Sequence, residues 1–308
     1  MSSSLEAVGE AQLCNMSLTL AMNSSCPSSI WTTRISSLLS APKMTLINIG
    51  ANKGYAVNAF LRRYQRGWQN TSTEWRHAVA YQACGKCLAC EDPEVEQARY
   101  NEAEVRVVAV ELFGKNVAQL ERLFKRFSVP GEVVHAAGGE AVGVAFEPSE
   151  KDTECSRFHQ TRFSCTGFEK MGIATEGKPV PVVTVDSLAT QHSMERIDLL
   201  SIDTEGHDAA VLLGAEASLA ARRIRVVEFE YHSVGRWQNE SLHRVTSRLK
   251  SHGYTCFWQS NTGQLSPFLR SCSYEFKEWS NVVCACEPQV VHAFHSLVPA
   301  PLLNARWH

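Results

Sequence analysis

The chain has 308 residues, 44% of them hydrophobic, with 30 Lys and Arg against 32 Asp and Glu and a net charge of −2. That is enough for one large domain, or two small ones, with a sizeable core. The near-neutral balance supplies no basic surface for nucleic acid or anionic lipid, and no run of about eighteen apolar residues offers a membrane span.

Residues 1–40 are serine-rich and hold one basic residue, Arg34. The apolar stretch LTLAM is short, and no basic region precedes it, so it makes a poor signal or transit peptide. The expectation is a poorly ordered arm. Asn-x-Ser/Thr sequons at Asn15, Asn23, Asn70 and Asn239 hint at a secretory route.

From residue 44 short apolar runs alternate with amphipathic ones. TLINIG reads as a strand, and Val57, Phe60, Leu61 and Tyr64 then follow helical spacing. Residues 67–104 are polar and read as an insertion carrying Cys84, Cys87 and Cys90. The spacing of those three fits plain thiols, a zinc site or local disulfides, and plain thiols come first. An odd total of 11 cysteines excludes a complete disulfide framework, and Cys155, Cys165, Cys256 and Cys272 read as small, at least half-buried residues.

VRVVAVEL is the second strand, apolar enough to be buried on both faces, and NVAQLERLFKRF the helix after it. EVVHAAGG is a third strand, AVGVAF a short hairpin, and VPVVTVDSLA a strand entering a helix with Asp186 as its cap. RIDLLSIDTEGHDAAVLLGAEASLAARRIRVVEFEYH then reads as strand, loop, helix and strand, with Thr204 as helix cap. Glu228 and Glu230 alternate with Phe229 as on a half-exposed strand. SLHRVTSRLKSHGY is a helix closed by Gly253, and two strands, YTCFWQ and NVVCACE, follow. The organisation expected is the arm, one domain over 41–290 interrupted at 67–104, and a tail over 291–308.

Such alternation implies a parallel sheet with helices on both faces, whose ligands lie beyond the carboxyl ends of the strands. That rim collects Gly50 to Gly54, Glu111 with its neighbour Leu112, Ala136 to Gly139, and Ser201 to His207. A dinucleotide turn needs G-x-G-x-x-G. Here the turn is Gly50-Ala51-Asn52-Lys53-Gly54, one glycine short, which suits a nucleoside cofactor without phosphates. Glu111, ending the second strand, is placed to accept two ribose hydroxyls.

INIGANKGY, VVAVEL, VTVDSLA and IDLLSIDTEGHDAAVLLGA together resemble the FkbM-type family of S-adenosylmethionine-dependent methyltransferases. Asp203, Glu205, Gly206, Leu213, Gly214 and Ala215 match the family's most specific block. The resemblance implies an α/β, Rossmann-like class I methyltransferase fold, with a mostly parallel seven-stranded sheet and an antiparallel C-terminal strand. It implies S-adenosylmethionine held by Asn48, Gly50, Ala51, Asn52, Gly54, Glu111, Leu112, Ala136 and Asp203. It also implies O-methylation of a sugar or small natural product, with Asp203, Glu205 and His207 as catalytic candidates and no metal. Asn48 and Ser201 stand where the family commonly has Asp and Lys. Those departures keep open a second reading, an inactive methyltransferase-like binding or scaffold module.

Overall fold

The computed structural model describes residues 9–22, 30–79, 102–147, 178–270, 272–305 and 307. Cys84, Cys87, Cys90, Cys155, Cys165 and the sequon at Asn23 lie outside these residues.

The strands, in chain order, are β1 (Lys43–Ile49), β2 (Glu104–Glu111), β3 (Gly131–His135), β4 (Ala137–Gly138), β5 (Gly143–Glu147), β6 (Lys178–Val183), β7 (Ile197–Ile202), β8 (Ile224–Tyr231), β9 (Thr255–Gln259), β10 (Leu265–Pro267) and β11 (Ser280–Ala285). Eight of them form one sheet in the order β10-β9-β11-β8-β7-β1-β2-β3. From β8 to β3 all neighbours are parallel, and β11, β9 and β10 are joined antiparallel. This is the expected mostly parallel α/β sheet with one more strand, because the short β10 adds to the edge. Strand order reverses at β1, with β2 on one side and β7 on the other, so the crevice of a doubly wound sheet opens above these strands.

The core follows from composition. Leu46, Ile47, Ile49, Val107, Val108, Val110, Leu200, Val226, Val227 and Val283 are apolar at consecutive strand positions and all buried, as strands covered on both faces require. Helix Gly114–Phe127 lays Val117, Leu120, Leu123 and Phe124 on the sheet.

Four local expectations are corrected. The strand expected at EVVHAAGG is two: β3 stays in the main sheet, while β4 joins β6, whose other edge pairs antiparallel with β5. AVGVAF is therefore one arm of a small second sheet. The helix expected through Val211, Ala215 and Leu219 breaks into Asp208–Leu213 and Glu216–Ala220. The break is at Gly214, where a Cβ would stand 2.1 Å from the Gly139 carbonyl oxygen, so two backbones touch. Asp186 does not cap its own helix. Thr184 and Ser187 do so reciprocally, while the Asp186 carboxylate accepts from the Ala217 and Ser218 N–H groups of helix Glu216–Ala220.

The arm also differs from expectation. Helices Glu10–Met22 and Ile30–Leu39 are packed, with Ala21, Trp31, Ile35 and Leu39 buried. Trp31 Nε1 donates to Gln259 Oε1 at 3.0 Å, and the Ser17 hydroxyl is hydrogen-bonded to those of Ser266 and Tyr274, both at 2.7 Å. Serines spaced among apolar residues hid an amphipathic helix. The tail likewise holds helices Pro288–His295 and Ala300–Leu303. Cys256 and Cys272, read as small, at least half-buried residues, are bonded to Cys284 and Cys14. An odd count rules out a complete framework, not a partial one.

Arg225 ties the arm to the sheet. Its guanidinium donates to the Leu38 and Leu39 carbonyls at 2.9 and 2.7 Å, meets Asp198 Oδ1 at 3.1 Å, and pairs with Glu287. Asp198 is buried, and Arg196 is its other cationic neighbour. Arg225→Ala leaves Asp198 with Arg196 and the Thr45 N–H but takes the donor from two carbonyls, at a cost of about 2 kcal/mol. The expected result in a urea titration is a lower midpoint with an unchanged slope.

Candidate active site

Two loops meet at the reversal point. After β1 the chain turns through Gly50 at φ +82° and Asn52 at φ +46°, left-handed conformations that suit glycine and asparagine. The N–H groups of Gly50 and Ala51 both donate to the Val110 carbonyl, at 2.9 and 3.0 Å, binding the turn to the end of β2. Glu111 completes the link. Its Oε2 accepts the Asn52 N–H at 2.7 Å and its Oε1 the Phe113 N–H at 2.9 Å. Glu111 is buried, which pushes its carboxyl up in pKa, while the two N–H groups pull it back. Ala136 is buried and donates its N–H to the Glu111 carbonyl at 3.1 Å, and the Leu112 carbonyl meets His135 Nε2 at 3.0 Å. The sequence-predicted rim residues from 48 to 54, 111, 112 and 136 are thus brought together.

The glycines answer to protein neighbours. A Cβ on Gly50 would lie 1.7 Å from the Asp203 carbonyl oxygen, because the loops after β1 and β7 cross there. A Cβ on Gly54 would lie 2.9 Å from both Trp75 Cζ2 and Leu120 Cδ2, so that position is set by packing of the following helices.

The parallel register puts Asn48 beside Ser201 and Ser201 beside Glu228. Asn48 is buried, and its Oδ1 has no hydrogen-bond partner among the described residues, while Nδ2 faces the Ser201 carbonyl at 3.4 Å. An orphaned buried acceptor two residues before the turn is the kind of group that a ligand ammonium satisfies.

The second loop, Asp203 to His207, follows β7. Asp203 is exposed, Glu205 and His207 half-buried. Glu205 has φ +52° and Gly206 φ +104°. A Cβ on Gly206 would lie 2.5 Å from the Val234 carbonyl oxygen, and its own carbonyl accepts the Arg236 N–H at 2.9 Å. The loop is therefore pressed against residues 234–236. Burial, then the Arg236 charge, lowers the His207 pKa, so the imidazole is neutral at pH 7. Thr204, expected as a helix cap, instead donates its hydroxyl to Asp208 Oδ2 at 3.0 Å, and His207 occupies the cap position without a side-chain bond.

Sequence reasoning missed Asp208 and misread Glu228 and Glu230. Asp208 is fully buried and accepts from Thr204 Oγ1, Gly206 N–H and, at 3.2 Å, Glu230 N–H. It fixes the loop's shape. Burial pushes its pKa up to about 6. Glu228 is half-buried and Glu230 buried, and burial raises both carboxyls. Alternation with Phe229 gave the right period, but it could not reveal that the second face is covered too. Trp237 is buried against Tyr231, with ring centroids 5.1 Å apart.

Residues 48–256 match the family model of the methyltransferase FkbM domain. The chain belongs to the FkbM methyltransferase family. A search of the curated proteins finds no match. Among solved structures, methyltransferase FkbM from Methylobacillus flagellatus KT aligns at 11% identity with a TM-score of 0.45, over 86% of this chain and 48% of that one. The chain thus spans about half the length of that protein. Fibrillarin from Aeropyrum pernix, solved with natively bound S-adenosylmethionine, aligns at 10% identity and a TM-score of 0.33, over 83% and 76%. An O-methyltransferase from Bacillus cereus, in complex with SAH, aligns at 12% and 0.31, over 92% and 94%. The fold is Rossmann-like, on its own strand order and the family match. S-adenosylmethionine is the cofactor expected of an FkbM methyltransferase. The orphaned Asn48 Oδ1, beside the turn that Glu111 braces, fits it. No helix among the described residues is long and apolar enough to cross a membrane.

Proposed function

We propose that this FkbM methyltransferase methylates a hydroxyl oxygen of a sugar or small natural product. The observation that carries the reading is the meeting of two loops at the strand-order reversal: the Gly50 turn locked to Glu111 on one side, and Asp203 to His207 on the other. S-adenosylmethionine supplies an electrophilic methyl group on a sulfonium. In this reading Glu111 accepts from its ribose, Asn48 Oδ1 from its ammonium, and Ala51, Asn52, Gly54, Leu112 and Ala136 wall the adenosine. Asp203 lies where both ligands would meet.

The remaining task is to align an acceptor oxygen and take its proton. Alignment of two bound reactants can supply much of the rate. The neutral His207 imidazole takes the hydroxyl proton, and the Glu205 carboxylate orients the hydroxyl. Asn48 and Ser201 leave this arrangement whole: the amide still offers an acceptor, and Ser201 stands beside Glu228 in the strand register. A methyl-transfer assay with labelled cofactor against a panel of glycans and small alcohols tests the reading. Label in an alkali-stable methyl ether is the expected result. Label appearing only on nitrogen, or on no acceptor while the cofactor binds, contradicts it.

A further inference from the structure

Beside the proposed acceptor position lies a second constellation. Glu205, Glu230 and His232 come from the loop after β7, the end of β8 and the residue just past it. One ligand-type atom from each lies within 4.8 Å of the other two. Acidic neighbours alone would mean little, since carboxylates gather at strand ends for many reasons. Two further features single this group out. His232 is 8% exposed, and its Nε2 is buried with no hydrogen-bond partner among the described residues. It faces Glu230 Oε2 at 3.8 Å, too far for a hydrogen bond. Glu230 is 7% exposed, and its other oxygen is held by Trp279 Nε1 at 2.9 Å, which leaves Oε2 directed at the histidine. A buried carboxylate and a buried imidazole thus face each other at 3.8 Å, with a second carboxylate, Glu205, within reach of both.

We infer that Glu205, Glu230 and His232 bind a divalent first-row transition-metal ion next to the acceptor site. Two carboxylate oxygens and one imidazole nitrogen form a mixed set that suits Mn²⁺, Fe²⁺, Co²⁺ or Zn²⁺ better than Mg²⁺, which favours oxygen alone. With bonds of about 2.1 Å, neighbouring ligand atoms stand about 3.0–3.6 Å apart, so the side chains close by up to about an ångström on binding. Ligation through Nε2 puts the ring proton on Nδ1. There the Val234 N–H must move aside from its contact of 3.4 Å, which is long and lies in a loop. Three protein ligands leave coordination positions open toward Asp203 and the acceptor. The ion would hold the acceptor's oxygen and ease loss of its proton to His207. This last role rests on the methyltransferase reading; the binding of the ion does not. It departs from the expectation, drawn from the sequence, that no metal is needed.

The test uses the full chain, stripped with a chelator and titrated with Mn²⁺ in a calorimeter, without S-adenosylmethionine. One equivalent should bind. Glu230→Gln and His232→Ala, checked for fold by circular dichroism, should each weaken it at least tenfold while S-adenosylmethionine affinity stays within about threefold. Should either variant fail to fold, wild type with Co²⁺ decides, since a bound ion absorbs in the visible differently from the aqua ion. No uptake at millimolar Mn²⁺ with an aqua-type Co²⁺ spectrum overturns the site, as do folded variants that bind as tightly as wild type. A protein that ignores metals yet methylates an amine-bearing acceptor also overturns it, because the acids would then hold an organic cation. Failure of S-adenosylmethionine to bind, with Mn²⁺ uptake intact, would count against the transferase reading alone.

Discussion

Gly50→Ala is expected to cost on the order of 4 kcal/mol of stability, the largest effect of any single methyl group in the crevice. Two terms combine. At φ +82° an alanine pays about 1 kcal/mol or more for a left-handed backbone. Its Cβ would also stand 1.7 Å from the Asp203 carbonyl oxygen, and that oxygen is main chain, with no rotamer to escape into. The loops after β1 and β7 must part, which breaks the Asp203 N–H bond to the Ile49 carbonyl, now 2.9 Å. Urea unfolding should show a markedly lower midpoint. Because the same shift moves Asp203 and Glu205, folded variant should also transfer methyl slowly. Gly54→Ala differs in kind: the added methyl meets Trp75 and Leu120 side chains, which can yield, so its damage should be smaller.

Glu205→Gln should lower turnover about a hundredfold or more while leaving S-adenosylmethionine affinity within about threefold. The substitution keeps size and removes the negative charge. Glu205 sits in the loop shaped by Asp208, whose three accepted hydrogen bonds do not involve the Glu205 side chain, so the loop should hold its form. A uniform loss in turnover and in kcat/KM would mark an interaction made in the transition state. Unchanged turnover would remove Glu205 from the chemistry. His207→Asn should lower turnover as well, without touching Glu205 or the cofactor side.

Strand–helix alternation was legible because the parallel strands are apolar at successive positions, and the rim followed from it. Gly50, Asn52 and Glu111 were legible as a group because strand ends must converge on the reversal point. What the glycines avoid was not legible. Their neighbours, the Asp203 carbonyl for Gly50 and Trp75 for Gly54, are remote in sequence, and a ligand was the simpler guess. Asp208 went unseen for the opposite reason: a carboxylate in a first helical turn reads as a solvated dipole partner, and only the fold buries it. Glu230 and His232 fell under the same shadow. Alternation identifies a strand but cannot say whether its polar face meets water or a second layer. The Ile30–Leu39 helix was obscured by serines, since its buried set of Trp31, Ile35, Ser36 and Leu39 includes one.

The central claim is that the turn at Gly50 and the carboxylate of Glu111 hold S-adenosylmethionine together. Calorimetric titration of the full chain with S-adenosylmethionine, comparing wild type with Glu111→Ala, tests it most directly. Wild type should bind one equivalent, and the variant about a hundredfold more weakly, since two backbone N–H groups lose their acceptor and the ribose loses its own. Equal affinity in a folded Glu111→Ala protein, or no binding by wild type, would contradict it.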